Sequence, residues 1–359
     1  MTQPSPITPN ENKPIGNDPM KSVLSLLRRD ENITRLFVIM IVIFVVMSLA
    51  RPEVFPTVQN FQSMAFQFSE IGIMALGIML TLITGGIDLS VNATANLAGI
   101  SAGLILTNMA PAGSSPAMIT TAIILAIIVA LFIGLVCGLL NGFLITRVGI
   151  YPILATLGTM TLFSGLTIGI TKGTGIFGIP EFQFLGNGEF LKIPVPFIIF
   201  IVLAFIISLV LNRSTLGMRL YLLGTNPVAS KFSGIDNRNV LMKVYAISGV
   251  LSALAGIVIL ARTNSANADY GSSYVLMAIL IAVLGGVDPY GGFGKISGLL
   301  LGILSLQFLS TGLNMLLAEY RGANFFKEFS WGLLLIAIMV VNYLSAQRKT
   351  KIKVKPAVQ

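Results

Sequence analysis

Long apolar runs recur along the chain, separated by short polar or glycine-rich joints. They fall near 36–50, 64–84, 91–108, 118–140, 150–171, 194–211, 240–261, 272–287, 296–316 and 326–345. Most approach the roughly 20 residues that cross ~30 Å of hydrocarbon, so the pattern predicts an all-α polytopic transmembrane helical bundle of about ten spans. The first run, held between Arg35 and Arg51, is short and relies on tilt and snorkelling ends. Residues 1–35 read as a polar cytoplasmic leader with Pro4, Pro9, Pro14 and Pro19, too polar to pack. It lacks the apolar stretch and small-residue cleavage site of a signal peptide. Residues 36–345 form the expected transmembrane domain, with a cytoplasmic connection at 212–240, and 346–359 a basic cytoplasmic tail.

Composition narrows the class. Of 359 residues, 55% are hydrophobic and 10% charged, which leaves too few polar side chains to clothe a water-soluble globule. Histidine is absent, and the single cysteine, Cys137, sits in an apolar run as a small core residue. The net charge of +9 invites a nucleic-acid reading, and the positions of the basic residues dismiss it. With both termini cytoplasmic, 17 of the 23 Lys and Arg fall inside, among them Arg28, Arg147, Arg219, Lys231, Lys295 and Lys351. Only Arg51, Lys172, Lys192, Arg262, Arg321 and Lys327 fall outside. That asymmetry is the positive-inside bias, and it accounts for the charge without DNA or RNA.

The hydrophobic pattern is interrupted in informative places. Gly134, Gly138 and Gly142 repeat at a spacing that lets two helices approach closely. Thr84-Gly85-Gly86-Ile87-Asp88-Leu89-Ser90 puts a glycine pair and a carboxylate between two apolar runs with almost no loop, and such irregular backbone survives only inside protein or beside water. Asp88 or Ser90 suits an N-cap for the next helix, and Asp88 also suits a gate. A second glycine pair, in Leu284-Gly285-Gly286-Val287-Asp288-Pro289, hints at an internal repeat, although four residues make a short match.

The connection at 212–240 carries its own punctuation. Asn226 suits a cap, Pro227 a first helical residue and Gly234 a stop. The resulting helix of about two turns puts Val228 and Phe232 on one stripe beside Lys231. So short a helix needs something to pack against, either the bundle or another subunit.

The motifs Gly85-Gly86-Ile87-Asp88-Leu89-Ser90, Asn141-Gly142-Phe143-Leu144-Ile145-Thr146, Ala155-Thr156-Leu157-Gly158-Thr159-Met160, the Gly224-to-Gly234 loop and Ala282-Val283-Leu284-Gly285-Gly286 occur in one colinear order. Together they resemble the ribose/xylose-type permeases of bacterial ABC sugar importers over roughly 60–345. The resemblance implies two permease subunits in the inner membrane, as a homodimer or heterodimer, a cytoplasmic ATPase subunit and a periplasmic sugar-binding protein. It also implies that Asn226, Pro227, Val228, Lys231, Phe232 and Gly234 form the ATPase-coupling helix. No cofactor is expected, and the chain has no G-x-x-x-x-G-K-[ST] phosphate loop. Two departures bear on the sugar: Tyr274 is followed by Val275, Leu276 and Met277 where acidic residues are usual, and Asn92 stands where a glycine is usual.

The expected mechanism is a passive pathway rocked between two states from outside the chain. Gly85, Gly86, Asp88, Ser90, Asn92, Thr156, Thr159, Gly285 and Gly286 are its candidate gate and pathway residues, with Thr94, Asn96, Thr161, Ser164 and Asn314 as further polar contacts. Each polar residue is equally suited to bond a neighbouring helix. The rivals are an ion-coupled carrier using Asp88 or Glu70 near span ends, an intramembrane enzyme, for which nucleophile and base are missing, and a permease for branched amino acids or nucleosides.

Overall fold

A computed structural model describes residues 31–318 together with Phe326, residues 329–333, Ile336 and Val340. The leader over 1–30, the tail and most of the expected span at 326–345 lie outside the described residues. Twelve α-helices carry the described chain: α1 Glu31–Ala50, α2 Val58–Ile83, α3 Val91–Met109, α4 Pro116–Phe143, α5 Pro152–Thr171, α6 Phe184–Asn187, α7 Val195–Arg213, α8 Thr215–Thr225, α9 Pro227–Phe232, α10 Asn237–Thr263, α11 Tyr274–Leu284 and α12 Ile296–Leu316. A π turn, Leu144–Val148, extends α4. Two short antiparallel strand pairs, Ile176–Phe177 with Ser265–Ala266 and Glu189–Phe190 with Ile193–Pro194, trim the loops.

Seven of the described helices are long and apolar enough to cross a membrane: α1, α2, α4 with its π extension, α5, α7, α10 and α12. The apolar windows of α2 and α10 are 89% and 78% buried, against 28% for α4, α5 and α7, so the first two make the centre and the others the rim. The rim presents aliphatic and aromatic side chains outward, such as Ile124, Ile128 and Phe132 on α4 and Val202, Phe205 and Ile206 on α7. Solvated in water that surface would be strongly unfavourable; in a bilayer it is at home.

The expected runs at 91–108 and 272–287 have different outcomes, the first a helix of the expected bounds and the second a shorter one. The run at 91–108 becomes α3, whose buried face carries Asn92, Thr94 and Asn96 rather than aliphatics alone. The run at 272–287 yields only α11, 11 residues or about 16 Å, half of a crossing. Serines and a positive-φ Gly271 precede it and the second glycine pair ends it.

The repeated glycines of α4 do what their spacing suggests. A Cβ at Gly134 would strike the Gly249 carbonyl and Ala253, one at Gly138 the Tyr245 carbonyl, and one at Gly142 the Met242 side chain and backbone. Helix α10 answers with its own small residue at that place, Gly249, so the two backbones meet without intervening side chains.

Candidate functional site

At one end of the bundle, α8 and α9 form a projecting elbow. Asn226 caps α9, its Oδ1 accepting from the backbone N–H groups of Val228 and Ala229, both at 3.0 Å. Pro227 takes the first helical position. Gly234, at φ +78°, turns the chain away, with its N–H on the Lys231 carbonyl. The helix is pinned by polar contacts: Ser230 Oγ donates to Asn237 Oδ1 at 2.8 Å, and Asn237 Nδ2 donates to the Pro227 carbonyl at 2.8 Å. Its apolar stripe is therefore left free of the bundle, with Val228 64% and Phe232 88% exposed, and Lys231 exposed beside them.

The root of the elbow reaches both glycine breaks. A Cβ at Gly224 would collide with the Ile83 carbonyl and the Gly292 nitrogen, and Gly292 N–H donates to that same Ile83 carbonyl at 2.8 Å. Gly291 packs on Gly85, and the Tyr221 hydroxyl donates to the Gly294 carbonyl at 2.6 Å. Burial raises the Tyr221 pKa, which keeps it a neutral donor. Segments 83–86, 221–225 and 291–294 thus form one backbone-to-backbone knot, with little room for independent movement.

The two glycine breaks are similar in sequence and one residue out of step in structure. Gly85 of the first pair and Gly286 of the second adopt positive φ, +77° and +82°. The matching closing bonds run from Gly86 N–H to Thr81 and from Val287 N–H to Ala282. Gly285 is spent instead on close contact with α12, where a Cβ would meet Leu299 and Gly298. The carboxylates differ as well, since Asp88 is buried and Asp288 is half-buried.

Asp88 anchors a buried polar network. Its Oδ1 accepts from Ser90 N–H at 3.0 Å and Ser90 Oγ at 2.7 Å, and its Oδ2 from Ser248 Oγ at 2.8 Å. Asn141 Nδ2 donates to Ser90 Oγ at 2.8 Å, and Thr159 Oγ1 donates to Asn141 Oδ1 at 2.6 Å. Thr156 donates to the Pro152 carbonyl at 2.8 Å and, more weakly, to that of Ile87. One chain of bonds therefore joins the first glycine break to α4, α5 and α10. Neither Asp88 nor Ser90 caps α3 through its side chain, because the Asp88 oxygens are committed to Ser90 and Ser248.

A second network surrounds Glu70, which lies midway along α2 rather than near its end. Arg262 grips it in a two-pronged pair, Nε to Oε2 at 3.0 Å and one terminal nitrogen to Oε1 at 2.9 Å. The Tyr274 hydroxyl donates to Oε1 at 2.8 Å, and Arg262 also donates to the Tyr270 hydroxyl at 2.7 Å. Asn92 and Asn96, four apart on α3, both donate to the Tyr270 carbonyl, and Asn96 also to that of Ala268. In this conformation Asp88, Ser90, Asn92, Thr156 and Thr159 are all buried. Asp88, Ser90 and Thr159 are bonded to side chains of other helices, Asn92 to the segment before α11, and Thr156 to its own helix and the first glycine break. Sequence reasoning did not find Ser248, Arg262, Tyr270 or the Gly224–Gly292 contact as site members. Only the run of small residues Ser248, Gly249 and Ser252 in α10 signalled a close approach there.

The sequence pattern of the family described as "Branched-chain amino acid transport system / permease component" matches residues 60–342. The chain belongs to this permease family. It is 40% identical over 284 residues to the ribose import permease protein RbsC of Bacillus subtilis, covering 78% of this chain and 84% of the relative. RbsC of Haemophilus influenzae is 33% identical, over 88% of this chain and 94% of its own. The autoinducer 2 import system permease protein LsrD of Yersinia enterocolitica is 34% identical, over 77% and 82%. No solved structure matches this chain. The family read from the five motifs is thereby borne out, and with it a multi-pass membrane protein that serves as a transport subunit.

Proposed function

We propose that the chain is the permease subunit of an ATP-binding-cassette importer, forming the pathway for a monosaccharide in the bacterial inner membrane. A cytoplasmic ATPase subunit grips α9, a periplasmic sugar-binding protein delivers the solute, and a second permease subunit completes the channel. Both termini face the cytoplasm in this reading, which is supported by the distribution of Lys and Arg. The sugar assignment is supported by the ribose import relatives.

One observation carries the coupling: an exposed apolar stripe, Val228 and Phe232, stands on a capped helix whose root is knotted through Gly224 to Ile83 and Gly292. A partner that moves α9 must therefore move the glycine-broken ends of α2 and α11. An ion-coupled carrier needs a carboxylate free to exchange a proton or cation. Here Glu70, the one candidate midway along a spanning helix, is neutralised by Arg262, and Asp88 lies in the first glycine break with its oxygens accepting from Ser90 and Ser248. Pairing with a second permease subunit is supported by α5, where Gly158, Gly165 and Gly169 face open space.

Phe232→Asp puts a charge in the centre of the apolar stripe. The expected result is loss of ATPase co-purification and of uptake, with membrane insertion unchanged. Normal co-purification together with normal uptake overturns the coupling assignment.

A further inference from the structure

The chain between α10 and α11 descends into the bundle instead of crossing its surface. Gly256 of α10 packs on Ala95 of α3, which sets the two helices level at that point. Helix α10 continues seven residues further to Thr263, about 10 Å. The following segment then returns to the depth of Asn92 and Asn96, whose amides hold the carbonyls of Ala268 and Tyr270 at 2.9–3.0 Å. From that depth the half-length α11 runs on to Gly285.

Irregular backbone so far below the end of a spanning helix is stable only when enclosed by protein or facing water. This segment is not enclosed, since Asn267, Asp269 and Ser272 are exposed. Facing lipid is excluded by chemistry, because among the described residues no hydrogen bond or ion pair engages the Asp269 carboxylate. Its backbone N–H is satisfied by Asn267 Oδ1 at 3.0 Å, which fixes the turn and leaves the carboxylate projecting.

We propose that residues 264–273 form a re-entrant, water-facing wall of the translocation pathway, and that Asn267, Asp269 and Ser272 hydrogen-bond the passing solute. The identity of the solute rests on the sugar-importer reading above. The three side chains suit a neutral polyol: a carboxylate accepts from neighbouring hydroxyls, an amide donates, and a serine hydroxyl does both. With an unpaired carboxylate in the set, an anionic solute is disfavoured. The wall is rigid, braced by Asn92 and Asn96 on one side and by the Tyr270–Arg262–Glu70 bonds on another. Small polar contacts on a fixed scaffold give weak, fast-exchanging binding, which suits a conduit whose specificity is set by a delivery protein.

The test uses the full-length chain in cells that depend on it for uptake, with Asn267→Cys, Ser272→Cys and, as a rim control, Ile128→Cys. Cys137 is the chain's one native thiol and is buried, so background reaction is low. A membrane-impermeant cationic methanethiosulfonate added outside should label positions 267 and 272 and spare 128. Asp269→Asn should lower the maximal rate of D-ribose uptake by about tenfold, the loss of one charge-assisted hydrogen bond, without changing the half-saturating sugar concentration set by delivery. Failure of both cysteines to react overturns the water-facing wall whatever the solute is. Labelling with Asp269→Asn uptake within about twofold of wild type overturns the solute contact. Wild-type cells that take up no D-ribose, with 267 and 272 still labelled, support the wall and overturn its contact with this sugar.

Discussion

Replacing Asp88 with Ala removes the acceptor for three hydrogen bonds at 2.7–3.0 Å. Ser90 N–H and the Ser90 and Ser248 hydroxyls are left facing a hole; the hydroxyls can rotate toward other acceptors, whereas a buried donor left without a partner costs about 1–3 kcal/mol. The carboxylate's own burial is relieved at the same time, which offsets part of the loss. We expect a net destabilisation of about 2–3 kcal/mol, or roughly 5–10 °C in the midpoint at about 2–4 °C per kcal/mol. Asp88→Asn keeps one acceptor oxygen and should fall by about half as much.

The chain supplies its own reporter. Cys137 is buried among Ala93, Leu97 and Phe163, so a thiol-reactive fluorogenic dye in detergent reads unfolding without a label. Ser248→Ala removes one of the donors that Asp88 serves, so the double variant Asp88→Ala/Ser248→Ala should be less stable than wild type by at least about 1 kcal/mol less than the sum of the singles. A midpoint for Asp88→Ala equal to wild type, or strict additivity in the double variant, refutes the network as a structural brace.

Three further outcomes follow from the packing. Arg262→Met leaves Glu70 buried and unpaired and should cost about 3–5 kcal/mol by the same dye assay, whereas Glu70→Leu/Arg262→Met together should recover most of that loss. Gly138→Ala drives a methyl into the Tyr245 carbonyl and should reduce folded yield in detergent, while Gly165→Ala, with nothing within reach of its Cβ, should leave the monomer unchanged or raise its stability by up to about 1 kcal/mol. Asn226→Ala removes the cap of α9 at about 1 kcal/mol locally, and should weaken ATPase stimulation without altering the unfolding midpoint of the bundle.

Local signals in the sequence were the readable ones. The apolar runs marked α1, α2, α4, α5, α7, α10 and α12 because period and length are properties of a single segment. The α9 cap was equally legible, since Asn226, Pro227 and Gly234 act on their own neighbours. Glu70 and Arg262 are 192 residues apart, and nothing in either local context announces their pair. The direction of Asp88 was undecidable for the same reason, because Ser248, 160 residues away, competes with the start of α3 for its oxygens. The run at 272–287 looks like a span because hydropathy measures transfer and not length of helix. Only the amides of Asn92 and Asn96 reveal that the chain before it turns inward.

The central claim is that this chain conducts solute without an energy source of its own, and that α9 receives the drive. Reconstituted vesicles holding the chain with its ATPase subunit and loaded binding protein test it most directly. Uptake should require ATP on the α9 side, persist when proton and sodium gradients are collapsed, and vanish with Phe232→Asp. Accumulation driven by an imposed ion gradient, with the ATPase omitted, contradicts the account.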